Sequence, residues 1–111
     1  MTAVSNKAIS EYLSNNGIFH SNNGYKFLML SIRAILDGAV DRKCAKAIYD
    51  YVAGQSGAQP GQVDRAIRHA LRKAAVQLSN KEFLIRAADE LTFTANANAF
   101  LFESAVPEPS G

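Results

Sequence analysis

Between Gln59 and Gln77 the chain reads QPGQVDRAIRHALRKAAVQ, and its apolar residues recur at a spacing that brings them together only on a helix. At 100° per residue, Val63, Ala66, Ile67, Ala70, Leu71 and Ala74 share one face, while Arg65, Arg68 and Arg72 gather on the opposite one. Pro60 suits the first turn, where a missing N–H and a fixed φ cost little, so the helix is expected to run from Pro60 to Gln77. One face is made for a core and the other for something anionic.

A second helical pattern lies just upstream. Asp41 can cap a helix from Arg42 to about Ala53, with Cys44, Ile48, Tyr51 and Val52 on its apolar side. Only Gly54-Gln55-Ser56-Gly57-Ala58-Gln59 separates it from Pro60, which is helix-turn-helix spacing over about 42–77. Ala53 lets the two helices approach, Gly57 permits the turn, and Val63 docks the second helix on the first. Arg42, Lys43 and Lys46 sit at the start of the first of these helices, the end where the macrodipole disfavours cations, which points to an external anion.

The rest of the chain supplies helices to pack around this pair. Ser5 to Asn16 is amphipathic through Ala8, Ile9, Tyr12 and Leu13, with Ser5 as N-cap and Asn16-Gly17 as its end. A polar turn carrying His20 leads to Tyr25–Asp37, the most apolar segment, expected to be the central helix and to close at Gly38. Ser79-Asn80-Lys81-Glu82 has the form of a capping box, followed by Phe83, Leu84, Ala87 and Leu91 on one face. Thr92 to Phe102 fits a hairpin, an extended arm or a further short helix, and Phe93, Phe100 and Phe102 within it read most simply as core. Residues 1–105 are expected to form one all-α domain, a compact bundle of five to six helices, with Val106 to Gly111 as a frayed tail.

Charge is distributed unevenly although the net value is only +2. From Arg42 to Lys73 there are seven Lys/Arg against two Asp/Glu, and from Ala74 onward two against five. The basic centre fits nucleic acid better than the total charge does. The single cysteine leaves no intrachain disulfide and no paired-thiolate zinc site, and with no apolar run near the roughly 20 residues a membrane span needs, the expectation is a cytoplasmic protein.

Catalytic chemistry finds no constellation. His20 and His69 are not at metal-ligand spacing from each other or from Cys44, which on an apolar face reads as a small buried hydrophobe. Asp89 and Glu90, adjacent on a helix, point about 100° apart. No phosphate-cradling glycine loop is present, so neither an enzyme nor a cofactor is expected.

The stretch VDRAIRHAL, Val63 to Leu71, resembles the C-terminal DNA-binding domain of the stage-zero sporulation response regulators. Gly17-Ile18, Gly24-Tyr25 and Ile48-Tyr49 are similar to that family too, as are Asn80-Lys81-Glu82-Phe83 and Ala88-Asp89-Glu90-Leu91 in its last helix. The likeness spans about residues 5–91. It implies an all-helical domain whose recognition helix enters the DNA major groove, with the last helix near a dimer contact and a bacterial, nucleoid-associated location. Carried over by position, Arg65 and Arg68 would contact bases, and Asp64 would accept from a cytosine amino group. Gln62, His69 and Arg72 would flank them, with Arg42, Lys43 and Lys46 toward phosphates. The chain departs from the family at Gln62, where a basic residue is usual, and in a shorter segment between the recognition and last helices. The matched residues include no receiver domain, so the chain reads as an effector domain or a stand-alone relative.

The leading expectation is a sequence-specific transcriptional regulator domain that binds double-stranded DNA and forms a homodimer through its C-terminal helix or aromatic segment. The competing expectation is a helical protein-protein interaction module built on a DNA-binding fold.

Overall fold

Five helices follow in the order α1 (Asn6–Asn15), α2 (Tyr25–Leu36), α3 (Ala45–Ser56), α4 (Pro60–Lys73) and α5 (Asn80–Ala105) in the computed structural model. It describes residues 4–105, with side chains to residue 97. The fold is all-α, with no strand among the described residues. The expected tail from Val106 to Gly111 lies outside them.

Local sequence sets most of the boundaries. Ser5 caps α1 by accepting the Ala8 N–H at 3.1 Å. Ser79 and Glu82 form a reciprocal capping box at the start of α5: the Glu82 N–H donates to Ser79 Oγ and the Ser79 N–H to Glu82 Oε1, both at 3.2 Å. At the other ends, α1, α2 and α3 turn off through Gly17, Gly38 and Gly57, each with positive φ. Helix α4 ends the same way without a glycine. Ala75, at φ 60°, takes the left-handed position, and the Val76 N–H returns to the Leu71 carbonyl at 2.9 Å, closing a Schellman motif. The helix therefore stops at Lys73 rather than Gln77.

Two further expected boundaries move. Asp41 does not cap α3. Its carboxylate accepts the Lys43 N–H at 2.9 Å and its carbonyl the Cys44 N–H at 3.0 Å, so residues 41–44 form a turn of their own. Arg42 and Lys43 precede the helix, and Cys44 is its extended, exposed N-cap rather than a buried hydrophobe. On the other side, α5 runs unbroken through Thr92 to Ala105, where a hairpin, an arm or a separate short helix had been expected.

One core joins all five helices. Helix α2 packs against each of the others, as its apolar sequence requires, and buries Leu28, Ile32, Ala34, Ile35 and Leu36. Around it lie Ile9 and Leu13 of α1, Ile48 and Val52 of α3, Val63, Ile67 and Leu71 of α4, and Phe83, Leu84, Ala87 and Leu91 of α5. Ser31 is buried among them because its hydroxyl donates back to the Phe27 carbonyl at 2.7 Å, leaving no unpaired donor. Beyond Leu91 no described side chain of α5 is fully buried, and only Ala95 still packs partly against the core. Thr92, Phe93 and Thr94 are exposed, Phe93 at 74%, so Phe93 is not the core residue its apolarity suggests. The side chains of Phe100 and Phe102 lie outside the described residues.

Candidate nucleic-acid interface

Helices α3 and α4 meet across Gly57-Ala58-Gln59. Gly57 adopts φ 76°, a left-handed conformation that a side chain would penalise, and Pro60 then opens α4 at its first position. Ala53 and Val63, at 5% and 0% exposure, are both buried in the core, and α3 packs on α4. The sequence spacing has become a helix-turn-helix.

The N-terminus of α2 fixes the height of α4. Gly24 is buried, and a Cβ placed on it would lie 2.5 Å from the Ala66 carbonyl oxygen and 2.7 Å from the Ala70 Cβ. Only glycine permits that approach. With Val63, Ile67, Ala70 and Leu71 buried on one side, α4 presents the other: Gln62, Arg65, Arg68, His69, Arg72 and Lys73 are all exposed. These six cover about 140° of the helix circumference. The stripe holds no acidic side chain.

Asp64 borders this stripe and is the centre of a polar network. Its Oδ2 pairs with Arg68 Nη2 at 2.6 Å across one helical turn, and its Oδ1 accepts from Asn80 Nδ2 at 2.9 Å. The same amide also donates to the Asp64 carbonyl at 3.0 Å and to the Tyr49 hydroxyl at 3.2 Å. Burial, then the neighbouring Asp64 charge and hydrogen bond, push the Tyr49 hydroxyl pKa up despite the opposing Asn80 contact. Tyr49, Asp64, Arg68, Arg72, Asn80 and Lys81 line a surface concavity of about 450 Å³ beside α4. The sequence places Asn80 and Lys81 in a capping box and, with Tyr49, in the family likeness, but gives none of these residues, nor Lys73, a contact role. Lys73 could have been found by extending the helical wheel one residue past Arg72, whereas the Asn80 contacts are tertiary and have no sequence signal.

The other expected contact residues are dispersed. Arg42 reaches away to α5, where Nη2 pairs with Asp89 Oδ1 at 2.6 Å. Lys43 lies in the turn before α3 and Lys46 in its first turn, both exposed. Gln62 turns back toward Gln59, whose N–H donates to Oε1 at 3.5 Å. Asp89 and Glu90 diverge: Glu90 accepts the Tyr12 hydroxyl at 2.5 Å on the α1 side. Burial and that bond raise the Tyr12 pKa. His20 lies against Tyr25 in a tilted pair, with ring centroids 4.5 Å apart and planes 36° apart. Among the described residues no group of three His, Cys, Asp or Glu side chains could hold a metal ion, and no helix is long and apolar enough to cross a membrane.

The family model described as "Sporulation initiation factor Spo0A C terminal" matches residues 9–99, from within α1 to the part of α5 beyond Leu91. The chain belongs to that family. Neither curated proteins nor solved structures gave a match. Membership makes the chain a DNA-binding regulatory domain of the sporulation-regulator type, in a family that is not one of enzymes. It gives the domain DNA as its partner class, and the all-helical architecture agrees with the family. The matched span holds the whole helix-turn-helix, the Gly24 approach and the Asn80 network.

Proposed function

We propose that this Spo0A C-terminal family domain reads a specific duplex sequence by placing α4 in the major groove. The observation that carries the reading is the exposed stripe from Gln62 to Lys73, backed by a buried face and set at a fixed height by Gly24. In a helix-turn-helix the N-terminal part of the second helix meets base edges. Arg65 lies in the first half of α4 and Arg68 one turn further along the same exposed stripe, and a guanidinium fork can pair bidentately with guanine O6 and N7. Asp64 offers the lone pairs not used by Arg68 and Asn80 to a cytosine amino group. Arg72, His69 and Gln62 flank the bases, while Lys43 and Lys46, held near the N-terminus of α3, meet phosphates. Arg42 joins them by giving up a half-exposed pair with Asp89, which holds it weakly.

A random-duplex selection with purified protein should enrich a motif, and affinity for it should fall steeply with salt. Arg68→Ala should flatten preference among sequences, whereas Lys43→Ala should weaken all duplexes alike. Equal losses on every sequence for both variants would remove the assigned roles. Recovery of an acidic protein partner, with no duplex bound at any salt, would instead support the interaction-module reading.

We also propose that a second copy covers the part of α5 beyond Leu91. A helix that leaves the core with Phe93 at 74% exposure carries an apolar side chain without a partner among the described residues, and self-association through it would pair two recognition helices on tandem half-sites. Sedimentation of the free and DNA-bound protein tests this.

A further inference from the structure

We infer that Asn80, at the start of α5, is a positioning residue for sequence readout: it holds Asp64, and Asp64 holds Arg68 at one edge of its guanidinium. The inference rests on the reading of Arg68 as a base contact.

The orientation of the Asn80 amide follows from its neighbours. Two of the three atoms it meets, the Asp64 carbonyl oxygen and Oδ1, are acceptors only, so the nitrogen and not the oxygen of the amide must face them. Asn80 is 8% exposed, and its amide is held from a further side by the Tyr49 hydroxyl of α3. An amide so placed immobilises the Asp64 carboxylate from outside α4.

That changes what the Asp64–Arg68 pair can do. An exposed pair one turn apart on a helix gains little, because two side chains must be ordered to form one contact. When Asn80 has already ordered Asp64, only Arg68 loses freedom. Its Nη2 takes Asp64 Oδ2 at 2.6 Å. Its other N–H groups make no hydrogen bond among the described residues, and they form the remaining edge of a five-donor fork. A carboxylate on one edge fixes the plane of the guanidinium before DNA arrives, so less entropy is lost when the other edge meets a guanine. Arg65 has no ion pair among the described residues and serves as the unbuttressed comparison.

The readout is the ratio of affinities for the selected duplex and a scrambled one. Asn80→Ala should lower that ratio on the order of tenfold, within the range of a single base contact, while the dependence of binding on salt stays the same. In the Arg68→Ala background the same change should cost less than it does in wild type, since only its effect through the Asp64 contact remains. A merely structural Asn80 would reduce the folded fraction and weaken both duplexes alike, leaving the ratio intact. Should alanine not fold, Asn80→Ser is the second variant, with a hydroxyl too short to reach Asp64, and the same fall in ratio is expected. In the free protein, NMR should show slowly rotating Arg68 guanidinium protons that average in either variant. An unchanged ratio in a folded variant, or additive losses with Arg68→Ala, overturns the positioning role alone. A wild-type protein that does not discriminate between the duplexes overturns the underlying reading with it.

Discussion

Gly24 and Ala66 approach so closely that a Cβ on Gly24 would lie 2.5 Å from the Ala66 carbonyl oxygen. That oxygen belongs to the backbone of α4, so it cannot be relieved by turning a side chain. Gly24→Ala should therefore push α4 away from α2, at a cost of about 1–3 kcal/mol typical of overpacking. Gly54, inside α3, supplies the opposite case, because a Cβ added there would meet nothing within 4 Å. Gly54→Ala should stabilise by up to about 1 kcal/mol through helix propensity alone. Denaturant unfolding of the two variants should give opposite signs, and only Gly24→Ala should weaken duplex binding at a temperature where both are folded.

Ala75 stands where α1, α2 and α3 place a glycine, in the left-handed position after the last turn. Left-handed backbone costs an alanine roughly 1–2 kcal/mol, partly offset by the greater freedom a glycine loses on folding. Its side chain is exposed, so removing the methyl group forfeits little packing. Ala75→Gly should raise stability by about 0.5–1 kcal/mol and the Tm by a few degrees. An unchanged or lowered Tm would show that the backbone there is not strained.

These cases bear on what a sequence can disclose. Ser5, Ser79 with Glu82, Gly17, Gly38, Gly57 and Pro60 act through groups within a few residues of themselves, and the ends they mark were legible for that reason. Asp41 carries the same chemistry, yet its carboxylate is spent on the Lys43 N–H in a separate turn, a choice between two local bonds that spacing does not make. The end of α4 was missed because an alanine occupies the left-handed position that glycine usually marks. Thr92 to Ala105 has mediocre helix formers such as Thr and Asn but neither glycine nor proline, so nothing stops α5 once begun. The stripe on α4 was visible as periodicity. The hold of Asn80 on Asp64, across 16 residues of sequence, exists only after α4 and α5 have packed.

The α5 capping box should make stability respond to acid in a particular way. The hydrogen bonds from Ser79, side chain first and backbone second, hold the Glu82 carboxyl below its ordinary range. A lowered folded-state pKa contributes stability that is present above the unfolded value and is lost as pH falls through the folded one. Glu82→Gln keeps an acceptor for the Ser79 N–H but cannot titrate. Wild type should therefore melt above this variant near neutral pH, and the gap should close as pH drops below the usual carboxylate range. A gap that is constant with pH would mean the capping does not depend on charge.

Phe93 tests whether the outer part of α5 is an interface. At 74% exposure it contributes little to the core of the isolated chain, and exposed positions usually change stability by no more than about 0.5 kcal/mol. Phe93→Ser should thus leave unfolding of the dilute protein nearly unchanged. If a second copy covers this stretch, the same variant loses a buried aromatic contact in the dimer, where truncation of a central residue costs about 2 kcal/mol or more, so the dimer dissociation constant should rise at least about thirtyfold. Binding to a duplex with two half-sites should lose its cooperativity while affinity for a single half-site stays as before. Equal sedimentation of wild type and variant, at concentrations where the wild type is dimeric, would place the interface elsewhere.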